Sequence, residues 1–181
     1  MKKRDLRRQE LLERMADHML IQGLQGASLR PLAAAAGTSD RMLLHYFADK
    51  DELLTATLTL VTQRLVTLLD SARTAPMPFQ QLVPHLALML KDAQIQPYMR
   101  LWFDLITGAA EGTEPFRTIA RRILTTLVDW IASALHVDHE ADRAPMAALT
   151  LAIIEGLSIF DALGDDDLRA DALAVLVRDS P

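Results

Sequence analysis

The segment Ser28-Leu-Arg-Pro-Leu-Ala-Ala-Ala-Ala-Gly37-Thr-Ser-Asp-Arg-Met-Leu-Leu-His-Tyr-Phe47 constrains this chain more than any other. Two short helical stretches are joined there by a glycine turn, the grammar of a helix-turn-helix. Ser28 can cap the first stretch, and the small side chains of Ala33 to Ala36 let it approach its neighbours closely. Gly37 permits the positive backbone dihedral that a sharp turn demands. Thr38 or Ser39 can cap the second stretch, whose Leu43, Leu44 and Phe47 are expected to face inward. Asp40, Arg41, Met42, His45 and Tyr46 then lie on the open face or its edges, and an exposed helix of this width fits the major groove of DNA. The competing reading is an ordinary helical hairpin packed in a core; the number of agreeing local signals weighs against it.

Strand signals are nearly absent elsewhere, because Ala, Leu, Met, Arg and Glu recur at helical spacing without a β-branched alternating run. Leu12, Met15, Ala16 and Met19 give the first helix a single apolar stripe, and Gly23 is expected to end it. A long helix over 49–72 begins at Asp49, with Glu52 placed to reach back in a near capping box. Ala75-Pro76-Met77-Pro78 then breaks the chain, and further helices are expected at about 79–94, 97–110, 114–136, 142–163 and 167–178. Pro84 and Pro145 are placed near helix starts, and Asp165 to Asp167 at the cap of the last helix. The fold class is therefore all-α. A three-helix helix-turn-helix domain is expected over 1–48 and a helical domain over 49–181, with the 49–72 helix linking them.

Charge is divided along the chain. Residues 1–50 carry nine Lys and Arg against six Asp and Glu, whereas residues 51–181 carry ten against eighteen, so polyanion contact belongs at the front. Lys2, Lys3, Arg4, Arg7 and Arg8 look like the start of a signal peptide, but Gln9, Glu10, Glu13 and Arg14 stand where an apolar stretch would be needed. The longest greasy segment, Met146 to Phe160, is interrupted by Glu155 and is short for a bilayer. A cytoplasmic protein without a membrane span is the expectation, and the absence of cysteine agrees with a reducing compartment.

The run from Ala36 through His45-Tyr46-Phe47 and Lys50 to Leu54 resembles the tetracycline-repressor (TetR) family, in which an aromatic motif, a lysine and an acidic-leucine helix start follow the helix-turn-helix. The likeness covers about residues 8–54; beyond that the chain resembles the family in length, helix count and final helix pair. The resemblance implies that Ser28, Ser39, His45, Tyr46 and Lys50 hold phosphates, and that Arg30, Asp40, Arg41 and Met42 reach base edges. Two positions depart from the pattern: Leu44 replaces the usual tyrosine, and Arg41 stands where a small residue is common. Arg41 can instead add a bidentate guanine contact. Pro31 disfavours helical geometry at Arg30.

The family's effector cavity would lie among the later helices. Tyr98, Trp102, Phe103 and Phe116 place four of nine aromatic residues within nineteen positions, where they can line an apolar pocket or equally fill a core. Trp102 and Met89 suit a hydrophobic molecule, while His85, Arg100, Asp104 and Glu155 offer polar contacts; Arg100 and Asp104 could equally pair with each other across one helical turn. His136, His139 and Glu140 fall in a helix junction without a second ligand set, so no metal or cofactor is expected.

Ala148, Ala152 and Gly156 recur at four-residue intervals beside Leu149, Ile153 and Phe160, and Leu168, Ala172, Leu173, Val175, Leu176 and Val177 cannot all face one small core. The implied assembly is a homodimer through helices 142–163 and 167–178. The chain thus reads as a one-component repressor that binds a palindromic operator in double-stranded DNA and is released by a small, largely apolar effector. The alternative is a DNA-binding dimer with no effector, architectural or partner-controlled. An enzyme is disfavoured because no zinc-protease helix, phosphate loop, nucleophile elbow or dinucleotide fingerprint is found.

Overall fold

A computed structural model describes residues 3–72 and 75–178, with the side chains of 176–178 outside the description; Lys2 and the side chains of Leu176 and Val177 therefore fall outside it. Every regular element among the described residues is helical: α1 Lys3–Gln22, α2 Leu29–Ala35, α3 Asp40–Tyr46, α4 Lys50–Ala72, α5 Phe79–Met89, α6 Gln96–Ala110, α7 Phe116–Ala134, α8 Arg143–Leu163 and α9 Asp166–Arg178. Short 3-10 turns occupy Leu24–Gly26 and Glu140–Asp142. The chain forms two compact units, Met1–Leu68 with Pro97–Ile123, and Leu69–Gln96 with Leu124–Pro181. These units cut the chain elsewhere than a functional division after residue 48, because α4, α6 and α7 each contribute residues to both.

The first unit is organised by one hydrophobic core. Leu11, Leu12, Met15, Ala16 and Met19 of α1 meet Leu32, Ala33 and Ala36 of the α2 segment, Leu43 and Phe47 around α3, and Leu53, Leu54, Leu58 and Val61 of α4. Leu101, Trp102 and Leu105 of α6, with Ile119 and Ala120 of α7, complete the same cluster. Polar ties fix the rim. Arg64 of α4 donates to the carboxylates of Glu13 and Asp17 on α1. Burial works against the Arg64 charge, but these two carboxylates outweigh it and raise its pKa; the same hydrogen bond holds Glu13 below the usual carboxylate range.

Helix ends explain where elements start and stop. Ser39 accepts a hydrogen bond from the Met42 amide at 3.3 Å and so caps α3. Ser28 occupies the cap position of α2 in extended backbone, yet its side chain makes no cap bond, contrary to expectation. The third helical residue is Pro31, which has no N–H to offer. At α4 the Glu52 amide donates to Asp49 Oδ1 at 2.7 Å, while the Glu52 carboxylate reaches back one residue further than in a standard box, to the Ala48 amide. Gly37, at φ 66°, makes the turn between α2 and α3, and Arg14 donates to the Ala36 carbonyl at the same corner.

The second unit buries Leu82, Val83, Leu86, Ala87, Trp130, Ile131, Leu151, Ile154 and Leu157, with α5 packed on α8 and α9. Helix α5 ends at Met89 rather than near 94, because the Asp92 carboxylate accepts from the Gln94 amide and the Gln96 side chain from α6 donates to the Leu90 carbonyl. Pro84 lies inside this helix, past the first turn where it was anticipated. Arg143 closes the end of α7 by donating to the Ala132 and Leu135 carbonyls at 2.8 and 2.7 Å. Asp165 caps α9 through the Leu168 amide, and the poorly exposed pair Arg169 and Asp161, 2.9 Å apart, ties α9 to α8. Helix α4 and the stretch Glu140–Leu163 are long and apolar enough to cross a membrane by length and composition. Leu53, Leu54, Leu58 and Val61 of the first and Ala147, Leu151, Ile154 and Leu157 of the second are buried in the core of their own unit.

One contact joins α6 to the corner that follows α1. Asp104 Oδ2 accepts from the Leu24 amide at 3.0 Å, next to Gly23 at φ 67°. A Cβ on residue 23 would collide with that carboxylate. Gly23→Ala is expected to lower stability by about 1–3 kcal/mol, from the positive φ and the collision together. In an Asp104→Ala background, which itself costs about 1 kcal/mol, the penalty should shrink because the space is cleared. Urea unfolding of the two single variants and the double variant measures this; strictly additive losses would refute the collision.

Candidate nucleic-acid interface

Helix α3 presents a narrow buried stripe and a broad open arc. Leu43 is fully buried and Phe47, at its C-terminal cap, nearly so, while Tyr46 is half-buried against the same core. Arg41, Met42, Leu44 and His45 are exposed. At about 100° of arc per residue, Arg41 and His45 share the centre of the open face, with Leu44 and Met42 on its two flanks. The ring of His45 stands edge-on to that of Tyr46, centroids 5.4 Å apart. Asp40 is half-buried at the helix start.

Leu44 does not face inward as anticipated; it is 46% exposed. A two-turn helix anchored by residues 43 and 47 has room for one stripe, and Leu44 points about 100° away from Leu43. Ser28, Arg30, Ser39 and Lys50 are exposed at helix starts: Ser28 and Ser39 at the caps of α2 and α3, Arg30 in the first turn of α2, Lys50 as the first residue of α4. The nine residues named from the sequence therefore come from three consecutive helix starts and the exposed side of α3.

Much of the basic charge at the front is engaged within the unit. Arg4 donates to the His45 carbonyl at 3.1 Å, and Arg14 to that of Ala36, so each places a cation at a helix C-terminus. Arg8 bonds Glu52 at 3.0 Å and lies over the Phe47 ring, 4.6 Å from its centroid. Arg7 pairs with Glu10. Arg30, Arg41 and Lys50 take no part in these ties and stand at the surface. Arg4, Arg8 and Arg14 thus hold the two short helices in place, a role the sequence reading missed because it counted their charge and not their reach.

The residues considered for an effector are divided between the units. Tyr98, Trp102 and Asp104 on α6 and Phe116 at the start of α7 belong to the first; His85 and Met89 on α5 and Glu155 on α8 belong to the second. Trp102 is 9% exposed within the core that also holds Leu43. Tyr98 packs against that core near Arg64; burial raises its pKa, the Arg64 charge opposes the rise and Asp17 adds to it. Asp104 is bonded to the Leu24 amide rather than paired with Arg100. His85 Nε2 is buried without a partner in the second unit. No group of three or more His, Asp or Glu residues is placed to hold a metal ion among the described residues, and Glu140 pairs with Arg143.

Comparison with known proteins agrees with this geometry. A sequence model of bacterial regulatory proteins of the tetR family matches residues 16–57, the segment from mid-α1 into α4. The HTH-type transcriptional regulator BetI of Burkholderia mallei is 31% identical over 185 residues, covering 97% of this chain and 92% of the relative. BetI of Brucella canis is 28% identical over 182 residues, covering 96% and 89%. A transcriptional regulator from Rhodococcus sp. Rha1 superposes with a TM-score of 0.69 at 26% identity, over 94% of this chain and 93% of that one. A TetR-family regulator from Cytophaga hutchinsonii, 19% identical, shares the fold with a TM-score of 0.71 over 97% and 94%. An all-helical chain with an N-terminal helix-turn-helix, similar along nearly its whole length to transcriptional regulators, belongs to the TetR family of bacterial DNA-binding regulators.

Proposed function

We propose that this regulator is a cytoplasmic, one-component repressor that binds a palindromic operator as a homodimer and releases it when a small, largely apolar effector binds. The observation that carries the DNA half is the exposed arc of α3, where Arg41 and His45 project from a capped helix fixed by Leu43 and Phe47. In this reading Ser28, Ser39, His45, Tyr46 and Lys50 set the register on phosphates, and Arg30, Asp40, Arg41 and Met42 address base edges. Residues 1–48 act as the DNA-binding domain and 49–181 as the effector and dimer domain.

The dimer is supported by apolar surface on the last two helices. Leu149, Ile159 and Leu163 of α8 are 49%, 48% and 77% exposed, Ala148 and Ala152 lie open between them, and a Cβ on Gly156 would meet nothing. Leu168 and Val175 of α9 are likewise 51% and 58% exposed. Such a surface matches a copy of itself across a two-fold axis. The effector reading rests on α6, where Trp102 belongs to the core that positions α3 and Tyr98 packs against it, so a ligand there acts directly on the DNA-binding unit. Asp104 and Phe116 are further contacts proposed within this unit, and His85, Met89 and Glu155 are proposed as effector contacts within the second. Release requires tighter binding to the conformation with altered recognition-helix spacing, with α4 as the lever.

Arg41→Ala should relax sequence preference, whereas Lys50→Ala should weaken binding to all DNA about equally and reduce the salt slope by about two per dimer, one for each subunit's lysine. Fluorescence anisotropy across salt concentrations separates the two; equal behaviour would sink the division of roles. Leu149→Glu should turn a dimer into a monomer in sedimentation at micromolar concentration, and a wild-type monomer would refute the assembly. In a Trp130→Phe background, which leaves Trp102 as the one tryptophan, a hydrophobic-compound library should yield molecules that quench the remaining fluorescence and release operator DNA. Quenching without release would favour the dimer that has no effector.

A further inference from the structure

We propose that Leu44 is a base-reading residue that recognises the C5-methyl group of a thymine in each operator half-site. The assignment rests on the DNA-binding role of α3 and goes beyond it, because leucine has no group to offer the DNA backbone. Helix α3 has seven residues, Asp40–Tyr46. At 1.5 Å per residue it is about 10 Å long, so its whole exposed arc fits within a major groove about 12 Å wide. Leu44 lies on that arc, 46% exposed, one flank away from Arg41 and His45.

An exposed leucine cannot bond a phosphate. In the major groove the apolar feature a base edge presents is the thymine methyl, while every other distinguishing group there is a hydrogen-bond donor or acceptor. Seating Leu44 against a donor or acceptor would strip water from a polar group and return no bond, which selects against the other bases at that position. Leu44 and Met42 are about 200° of helix arc apart, so the thymine read by Leu44 is a different base pair from any that Met42 touches.

The test uses the full-length protein. Binding sites are first selected from a random double-stranded DNA library, and each thymine of the recovered site is then replaced singly by deoxyuridine, which removes the methyl and nothing else. Affinities are measured by anisotropy at fixed salt for the wild type, Leu44→Ala, Met42→Ala and Arg41→Ala. Since Leu44 is exposed, Leu44→Ala should fold normally, with an unchanged thermal melt as the check.

The expected result is one thymine per half-site at which deoxyuridine weakens the wild type about fourfold, and about fifteenfold when both half-sites are changed. Leu44→Ala should bind the thymine and deoxyuridine sites equally, while Met42→Ala and Arg41→Ala keep the difference at that position. If Leu44→Ala loses the same affinity for thymine and deoxyuridine probes at every position, the side chain touches sugar or backbone and the assignment falls. It falls equally if no thymine shows a methyl effect. A selection that enriches no site at all overturns sequence-specific DNA reading itself.

Discussion

The hydrophobic core that Leu43 and Phe47 share with Leu101, Trp102 and Leu105 is the interaction on which the DNA-binding unit depends. Helices α2 and α3 have seven residues each, too few to persist in water unaided. Their stability and direction therefore come from the surfaces they are pressed against. Because α6 supplies part of that surface, the position of the recognition helix is set by residues sixty positions away in sequence as much as by its own turn. The Asp104 carboxylate reinforces this at the Leu24 amide, giving α6 a polar foothold beside its apolar one.

Electrostatics finishes what burial begins. The carbonyl ends of α2 and α3 receive Arg14 and Arg4, and Arg8 covers the Phe47 ring while holding Glu52. Arg4, Arg8 and Arg14 of α1 are thus internal fastenings. Net charge over residues 1–50 overstates the number available to a polyanion, and the exposed Arg30, Arg41 and Lys50 are a better measure of it.

Much of this was legible in advance, for identifiable reasons. The Leu12, Met15, Ala16 and Met19 stripe, the Gly37 turn and the Asp49 and Glu52 start all depend on neighbours within a turn or two, and all are where periodicity and capping chemistry put them. What was not legible depends on longer reach or on a competing local rule. Leucine is usually buried, which favours an inward Leu44, but its spacing from Leu43 excludes it from a one-stripe helix. The bond of Asp104 to Leu24, eighty residues earlier, has no local signature. The shortened α5 reflects Asp92, a turn former that could have been weighed against the apolar pattern around it.

The proline three residues after Ser28 has an effect beyond shaping α2. By withholding the amide that a cap serine would take, Pro31 leaves α2 with a weaker start than its sequence could otherwise provide. The Ser28 hydroxyl is exposed and makes no cap bond to its own helix, which leaves it able to turn outward for the phosphate contact proposed for it. A residue with an N–H at position 31 would draw that hydroxyl inward and strengthen the helix. Under the proposed phosphate contact, local stability and readiness to bind are opposed at this corner, and the chain carries the residue that favours readiness.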